Sequence, residues 1–227
     1  MKVTYHGHAC FTVEGNGHSL IIDPFLTGNS LADIKPEDVK VDAILLTHGH
    51  GDHVGDTETI ANKNKALIVA PFELAMYFGR QGLNVHPMHL GGGHQFDFAH
   101  VKLTLAFHGS GIELPDRIEY AGNPCGFLVT MDNKTYYHAG DTGLFGDMKL
   151  IGERSHIDVA SLPIGDNFTM GPDDALLAAE WIGAKKTIPM HYNTFDLVKQ
   201  DGEGFCNQLK AKGLDATALK PGESVEA

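Results

Sequence analysis

The chain has 227 residues, of which 42% are hydrophobic and 20% are charged, and this balance is that of an ordinary globular protein. Its formal net charge of −12 argues against the broad basic surface that nucleic-acid binding requires, so nucleic acid is not an expected partner. The cysteines Cys10, Cys125 and Cys206 are far apart and odd in number, which predicts neither a disulfide framework nor a thiolate zinc site.

Neither secretion nor a membrane span is expected from this sequence. No apolar leader follows Met1, and no stretch approaches the roughly 18 consecutive apolar residues of a membrane helix. We therefore expect a cytoplasmic protein that has no membrane partner. No Pro- or Ser-rich linker interrupts the sequence, so we expect one domain over residues 1–227.

The predicted elements fall into two halves with the same plan. The first half runs through strands at 2–5, 10–13, 20–22 and 42–47, a helix at about 56–62, a strand at 66–70 and a helix at 71–80. The second half has strands within 85–107, a hairpin of 125–131 with 135–138, helices at 148–153, 172–182 and 205–212, and strands at 158–163, 186–190 and near 216–219. Strands followed by β/α alternation, twice over, predict an α/β protein with two mixed sheets face to face and helices outside, a four-layer αββα sandwich.

The most informative stretch is His48-Gly49-His50-Gly51-Asp52-His53, which brings three imidazoles and a carboxylate into one short loop. These groups are the ligands that zinc, iron and manganese take, and the two glycines allow neighbouring side chains to converge. The loop follows the apolar run 42–47, which predicts a buried strand, and ligand sites are common where strands end. A metal site is therefore predicted here.

Three further candidate ligands close strand-like runs later in the chain. His108 follows the apolar run 103–107, Asp141 follows Ala139-Gly140, and His191 ends the run 187–190. Four strand ends would then converge on one rim.

In this order the motifs resemble those of the metallo-β-lactamase superfamily. Segments 7–11, 22–25, 162–165 and 168–172 extend the resemblance over nearly the whole chain. They look like the branch of uncharacterised metal-dependent hydrolases that is similar to the ascorbate-6-phosphate lactonase group.

The resemblance implies a pair of divalent metal ions. It assigns one ion to His48, His50 and His108, the second to Asp52, His53 and His191, and a bridging role to the carboxylate of Asp141. Two such ions can share a hydroxide that attacks the substrate, with Asp52 and Asp141 as the catalytic carboxylates. Asp52 is either a ligand or a proton carrier, and the sequence does not separate the two roles.

The expected activity is that of a metal-dependent hydrolase acting on an ester, lactone or phosphodiester bond of a small anionic molecule. Asp141 stands where some antibiotic-degrading members have cysteine, and its harder oxygen makes manganese or iron plausible beside zinc, the first choice. The alternatives are a phosphodiesterase acting on a cyclic nucleotide or RNA, and a non-catalytic metal-dependent ligand sensor. Assembly into a homo-oligomer is left open.

Four neighbours of the ligands are candidate pocket residues. His8 either reaches the pocket or is a hydrogen-bonded strand residue, and Asp23 either orients the metal loop or forms a plain turn before Pro24. Tyr192 and Asn193 follow His191 and are candidates to donate a hydrogen bond to a substrate oxygen.

Overall fold

The computed structural model describes residues 1–227. Its fifteen strands are β1 (Lys2–Tyr5), β2 (Phe11–Gly15), β3 (His18–Ile22), β4 (Ala43–Leu45), β5 (Leu67–Pro71), β6 (Val85–Met88), β7 (Gly93–Gln95), β8 (His100–Leu105), β9 (Gly111–Leu114), β10 (Arg117–Tyr120), β11 (Cys125–Met131), β12 (Lys134–His138), β13 (Val159–Pro163), β14 (Lys186–Met190) and β15 (Ser224–Glu226). The α-helices are α1 (Gly51–Val54), α2 (Thr57–Asn64), α3 (Phe72–Arg80), α4 (Met148–Arg154), α5 (Pro172–Ile182) and α6 (Gly202–Ala211).

Two mixed sheets form the centre of the molecule. The first has seven strands in the order β15-β1-β2-β3-β4-β5-β6, and the second has six in the order β14-β13-β12-β11-β8-β7. β3 to β6 run parallel to one another, as do β12 to β14, whereas the remaining neighbours in both sheets are antiparallel. The parallel parts bring several carboxyl strand ends to the same edge.

Side chains along the strands of the first sheet point alternately to its two faces, and both faces are covered by apolar cores. In β3, Leu20 and Ile22 belong to the large core between the sheets, whereas Ile21 belongs to a second core with Ile60 of α2 and Leu74 of α3. Side chains two residues apart share a face, so a strand that is apolar at every position must be covered on both sides. On the second sheet α5 contacts β13 and α6 contacts β14. The predicted four-layer αββα sandwich is confirmed.

The carboxyl-terminal strand differs from its prediction. No strand forms at 216–219, where Ala216 makes only an isolated bridge to Thr187 at the edge of β14. The last strand is instead β15, which pairs with β1 in the other sheet. Its sequence is polar and its central Val225 only half-buried, so apolar alternation gives no sign of it.

Two other elements have no counterpart in the prediction. β9 and β10 form a separate two-stranded hairpin at 111–120, and α1 turns the second part of the histidine loop into one helical turn. No helix combines the length and the apolarity that crossing a bilayer requires.

Candidate metal centre

The structure brings the seven predicted metal ligands to one edge of the sandwich. His48, His108 and Asp141 each lie three residues past the last residue of a strand, namely β4, β8 and β12, and His191 directly follows β14. His50 lies in the same loop as His48, and Asp52 and His53 lie in α1. Both sheets therefore contribute ligands to the same place.

A first group of three imidazoles converges on one side of this site. His48 Nε2 lies 2.9 Å from His50 Nδ1, and His108 Nε2 lies 3.3 Å from the same atom. All three nitrogens lie within 4.8 Å of one another, a spacing at which three atoms can share one ion.

A second group lies deeper and combines imidazoles with a carboxylate. Asp52 Oδ2 lies 3.7 Å from His191 Nε2 and 4.0 Å from His53 Nε2. Asp141 reaches toward both groups, since its Oδ2 lies 2.9 Å from His191 Nε2, 3.3 Å from His53 Nε2 and 3.6 Å from His108 Nε2. One carboxylate oxygen thus faces ligands of each group.

Asp23 and Thr47 fix the tautomers of two histidines. Asp23 is fully buried, and its Oδ2 accepts hydrogen bonds from His53 Nδ1 at 2.8 Å and from the Thr47 hydroxyl at 2.6 Å. Because the Thr47 hydroxyl donates to Asp23, it accepts from His48 Nδ1, which lies 2.9 Å away. The Nε2 lone pairs of both histidines are therefore free to face the centre, the arrangement that ligating histidines adopt.

The charges of the deeper group are strongly coupled. Burial alone would raise the pKa of Asp141, but the imidazoles of His191 and His53 hold it well below its usual range. Burial lowers the pKa of His191, but the carboxylates of Asp141 and Asp52 raise it to about 9. The buried carboxylates therefore require positive charge beside them.

The donor set fits a divalent metal ion. His53 Nε2, His191 Nε2 and Asp141 Oδ1 are buried and have no hydrogen-bond partner, and such atoms are costly to leave unpaired. A divalent cation would satisfy them and would also supply the positive charge that the carboxylates require. Nitrogen donors combined with hard oxygen donors suit zinc, manganese and iron.

His8 belongs to this cluster as well. It is fully buried, its Nε2 lies 3.0 Å from Asp52 Oδ2, and its Nδ1 lies 2.9 Å from the hydroxyl of Thr194. His8 and His191 both have left-handed backbones, with φ of 57° and 55°, and the His191 N–H donates to the His8 carbonyl at 2.8 Å. Such strained backbones tend to occur at functional sites.

Tyr192 and Asn193 do not line the cavity that contains the cluster. Tyr192 packs toward Gly202 at the start of α6, and the Asn193 side chain accepts a hydrogen bond from the Gln200 N–H within its own loop. The cavity has a volume of about 410 Å³. Its lining consists of His50, Asp52, His108, Asp141, Phe168, His191, Phe195 and Leu197.

The apolar lining residues were not among the predicted site residues. Phe168 lies in the segment 168–172 that carries part of the family resemblance, and Phe195 and Leu197 follow His191 within six residues. For Phe195 and Leu197, the only indication in the sequence is that they lie close to His191. Thr194, the partner of His8, lies 186 residues away from it and was also missed.

The family model of the beta-lactamase superfamily domain matches residues 2–191, which include the whole ligand cluster. The chain belongs to the metallo-β-lactamase superfamily. The predicted family membership is thereby confirmed.

Relatives place this superfamily member among metal-dependent hydrolases. It is 63% identical over 228 residues to the UPF0173 metal-dependent hydrolase YtkL of Bacillus subtilis, with 100% of both chains covered. It is also 63% identical over 227 residues to a UPF0173 metal-dependent hydrolase of Geobacillus sp. (strain WCH70), again over 100% of both chains. The metallo hydrolase Igni18 of Ignicoccus hospitalis shares the fold with a TM-score of 0.90 and 35% identity, over 99% of this chain and 97% of Igni18. The protein is a metal-dependent hydrolase.

Proposed function

We propose that this hydrolase holds two divalent metal ions and cleaves an ester, lactone or phosphodiester bond of a small molecule. His48, His50 and His108 would hold the first ion, and Asp52, His53 and His191 would hold the second. Asp141 would contact both ions. Zinc is the first choice for this donor set, with manganese and iron as alternatives.

The observation that carries this proposal is the position of Asp141 between the two groups. Its Oδ2 lies 3.6 Å from His108 Nε2 on one side and 2.9 Å from His191 Nε2 on the other. Both its neighbours His53 and His191 present Nε2 atoms that lack a hydrogen-bond partner. A carboxylate so placed supports two adjacent cation positions with one shared ligand.

Bound metal ions would supply an acidified water as nucleophile and would polarise the attacked carbonyl or phosphoryl oxygen. The cavity lining contains no serine, cysteine, threonine or lysine that would serve as the nucleophile instead. Asp23 and Thr47 hold His53 and His48 with their Nε2 lone pairs inward.

Asp52 is the group best placed to move a proton. Both Asp52 and Asp141 line the cavity, but the Asp52 side chain is 30% exposed whereas that of Asp141 is buried. His8 and the ligand histidines hold the pKa of Asp52 far below the ordinary value despite the opposing effect of burial, so it is a carboxylate near neutral pH. Because its side chain reaches solvent, Asp52 can pass a proton between the cluster and bulk water.

Elemental analysis combined with a substrate panel tests the proposal. Purified protein loaded with zinc, manganese or iron is assayed on lactones, carboxylic esters, thioesters and phosphodiesters, including a cyclic nucleotide. We expect two ions per chain and turnover of at least one ester, lactone or phosphodiester. Two bound ions without turnover of any substrate would instead support the metal-dependent sensor, and one ion per chain would contradict the dinuclear arrangement.

A further inference from the structure

Exposed apolar side chains concentrate around the ligand cluster. Phe168, Phe195 and Leu197 line its cavity and are 50%, 41% and 67% exposed. Ile118 and Tyr120 of the β9–β10 hairpin are also exposed and line a second cavity of about 550 Å³, which shares His50 with the first. Contiguous exposed apolar surface beside a polar centre marks a binding surface for apolar groups.

No lysine or arginine lines either cavity. The nearby lysine of the 193–201 loop, Lys199, has its Nζ 2.7 Å from Asp196 Oδ1. In the hairpin, Arg117 is paired with Asp116 and Glu119 at 3.1 Å each. Phosphate and carboxylate groups of ligands are recognised chiefly by arginine and lysine, and each of these two cations lies beside a carboxylate of its own segment rather than in a cavity.

Negative charge within the cluster weakens its attraction for an anionic group of the substrate. Asp52 and Asp141 line the cavity, and Asp23 lies directly behind His53. These three carboxylates offset most of the charge of two divalent ions. An anionic group located away from the scissile bond would therefore meet aromatic and aliphatic side chains, where a charge is poorly solvated. The lining gives no support to the anionic substrate that the lactonase resemblance implies.

Packing holds in place Phe195 and Leu197, which together with Phe168 form the apolar wall of the cavity. The ring of Phe195 lies 5.5 Å from that of His8 and 6.2 Å from that of Phe25. Leu197 sits in a short 3₁₀ turn whose neighbour Val198 is fully buried. A wall fixed in this way can bind an apolar group without first having to become ordered.

We infer that, given the proposed function, the substrate is an uncharged carboxylic ester or lactone whose alkyl or aryl group packs against Phe168, Phe195 and Leu197. The reacting carbonyl would then face the ligand cluster, and the apolar group would extend along the exposed wall.

A series of p-nitrophenyl esters tests this substrate class in the metal-loaded protein. Acetate, butyrate and hexanoate esters vary the length of the apolar group. The hemisuccinate ester has the same number of carbons as butyrate but carries a carboxylate in place of the terminal methyl group. Partial burial of each methylene should raise kcat/KM about twofold, so hexanoate should exceed acetate by about tenfold or more. The hemisuccinate ester should be cleaved at least about tenfold less efficiently than butyrate.

Variants of Leu197 test whether the preference for long, uncharged acyl groups depends on the apolar wall. Leu197→Ala should reduce the hexanoate-to-acetate ratio of kcat/KM about three- to tenfold. Leu197→Lys should raise the hemisuccinate-to-butyrate ratio at least about tenfold. Leu150→Ala is the matched control, because Leu150 is a half-exposed leucine of α4 outside both cavities. Saturation-transfer NMR with hexanamide gives a second readout, in which Leu197→Ala should weaken the signal at unchanged metal content.

The possible outcomes separate this inference from the proposed function. Ester cleavage with no dependence on chain length, or with the hemisuccinate ester preferred by the wild type, would overturn the substrate class and leave the hydrolase proposal intact. Equal effects of the Leu197 and Leu150 substitutions would overturn the assignment of the wall. If phosphodiesters alone are cleaved, the substrate class is wrong although the hydrolase proposal holds. If no ester, lactone or phosphodiester is cleaved although two ions are bound, both proposals fail.

Discussion

At the scale of single residues, Asp141 is the position on which the proposed centre depends most. It is buried, its Oδ1 has no partner, and its Oδ2 faces histidines of both groups. No other side chain of the cluster lies between the two groups in this way. Its loss should therefore affect both cation positions together.

Asp141→Ala should abolish hydrolysis and reduce bound metal below one ion per chain, because both sites lose a ligand. Elemental analysis of the purified variant measures the metal content directly. Asp42→Ala, which removes an exposed aspartate that pairs with His18, should keep two ions. An Asp141→Ala protein with unchanged metal content would refute the bridging role.

His8 is expected to position Asp52 rather than to react. His8→Asn retains a residue that tolerates a left-handed backbone but removes the contact with Asp52. Loss of such a supporting hydrogen bond typically weakens metal affinity about 10- to 100-fold. Competition with a fluorescent chelator should show this loss for one ion of the two. Equal weakening of both ions would contradict a role specific to Asp52.

The convergence of the seven candidate ligands could be predicted from the sequence, as could Asp23 as a support of the metal loop, whereas other residues around the site could not. His48 to His53 form a local motif, and His108, Asp141 and His191 each close an apolar run, so residue type and position sufficed. Thr194 and the wall residues Phe195 and Leu197 carry no such signal, because their roles arise only when the loop after β14 folds back over the cluster. Tyr192 illustrates the reverse error, since a polar side chain next to a ligand turned toward α6.

At the scale of elements, α4 and α5 pack so closely that no side chain fits between them at Gly152. A Cβ added there would lie 2.7 Å from the carbonyl oxygen of Ile182 and even closer to that of Trp181. Gly152→Ala should therefore destabilise the fold by about 1–3 kcal/mol, although alanine favours helix formation. Urea unfolding measures the effect. An increase in stability would show that α4 can shift away from α5 without cost.

The start of β13 carries a buried carboxylate that links three strands. Asp158 accepts hydrogen bonds from the Thr135 N–H at 2.9 Å, Lys134 Nζ at 3.3 Å and Lys185 Nζ at 2.8 Å. Burial alone would raise the pKa of Asp158, but the bonds from Lys185, Thr135 and Lys134 lower it to about 2. The folded-state pKa is thus below the unfolded value, and the resulting stability is present above that value and lost on acidification.

Asp158→Asn should reduce the free energy of unfolding by about 2 kcal/mol at pH 7, since each pKa unit corresponds to about 1.4 kcal/mol. The difference from wild type should shrink as the pH falls from about 4 toward 2. Urea unfolding of both proteins at a series of pH values between 2.5 and 7 measures it. A difference that is constant over this range would exclude the ionic contribution.

Helices and strands in which apolar residues recur at regular spacing agree with the prediction from sequence. Elements that lack such spacing do not. α5 begins and ends where the sequence predicts, because Pro172 starts it and Gly183 ends it. β15 has exposed residues on either side of Val225, and in the β9–β10 hairpin only Ile112 is buried, so neither shows a clear hydrophobic period. Their formation depends on pairing with partners that the local sequence does not specify.

At the scale of the whole molecule, metal binding should contribute strongly to stability. A ligand that binds only the folded state at about 1,000 times its Kd adds about 4 kcal/mol, and each kcal/mol raises the Tm of a protein of this size by about 2–4 °C. Removal of metal with a chelator should therefore lower the Tm by roughly 10 °C in calorimetry. Asp141→Ala should show little of this shift, whereas Gly152→Ala should retain it. A wild-type Tm indifferent to the chelator would contradict tight metal binding.

The candidate ligands are divided between the two sheets, and this division should affect how fragments of the chain associate. His48 to His53 are contributed by the first sheet, and His108, Asp141 and His191 by the second. Neither half of the chain contains a full coordination shell. In the proposed arrangement a cation seated between the layers would cross-link them, and fragments split between residues 88 and 93 should reassociate more tightly when metal is supplied. With cobalt(II) as the added metal, its visible absorption would appear only when both fragments supply ligands. The same signal would therefore report metal binding and association of the two fragments.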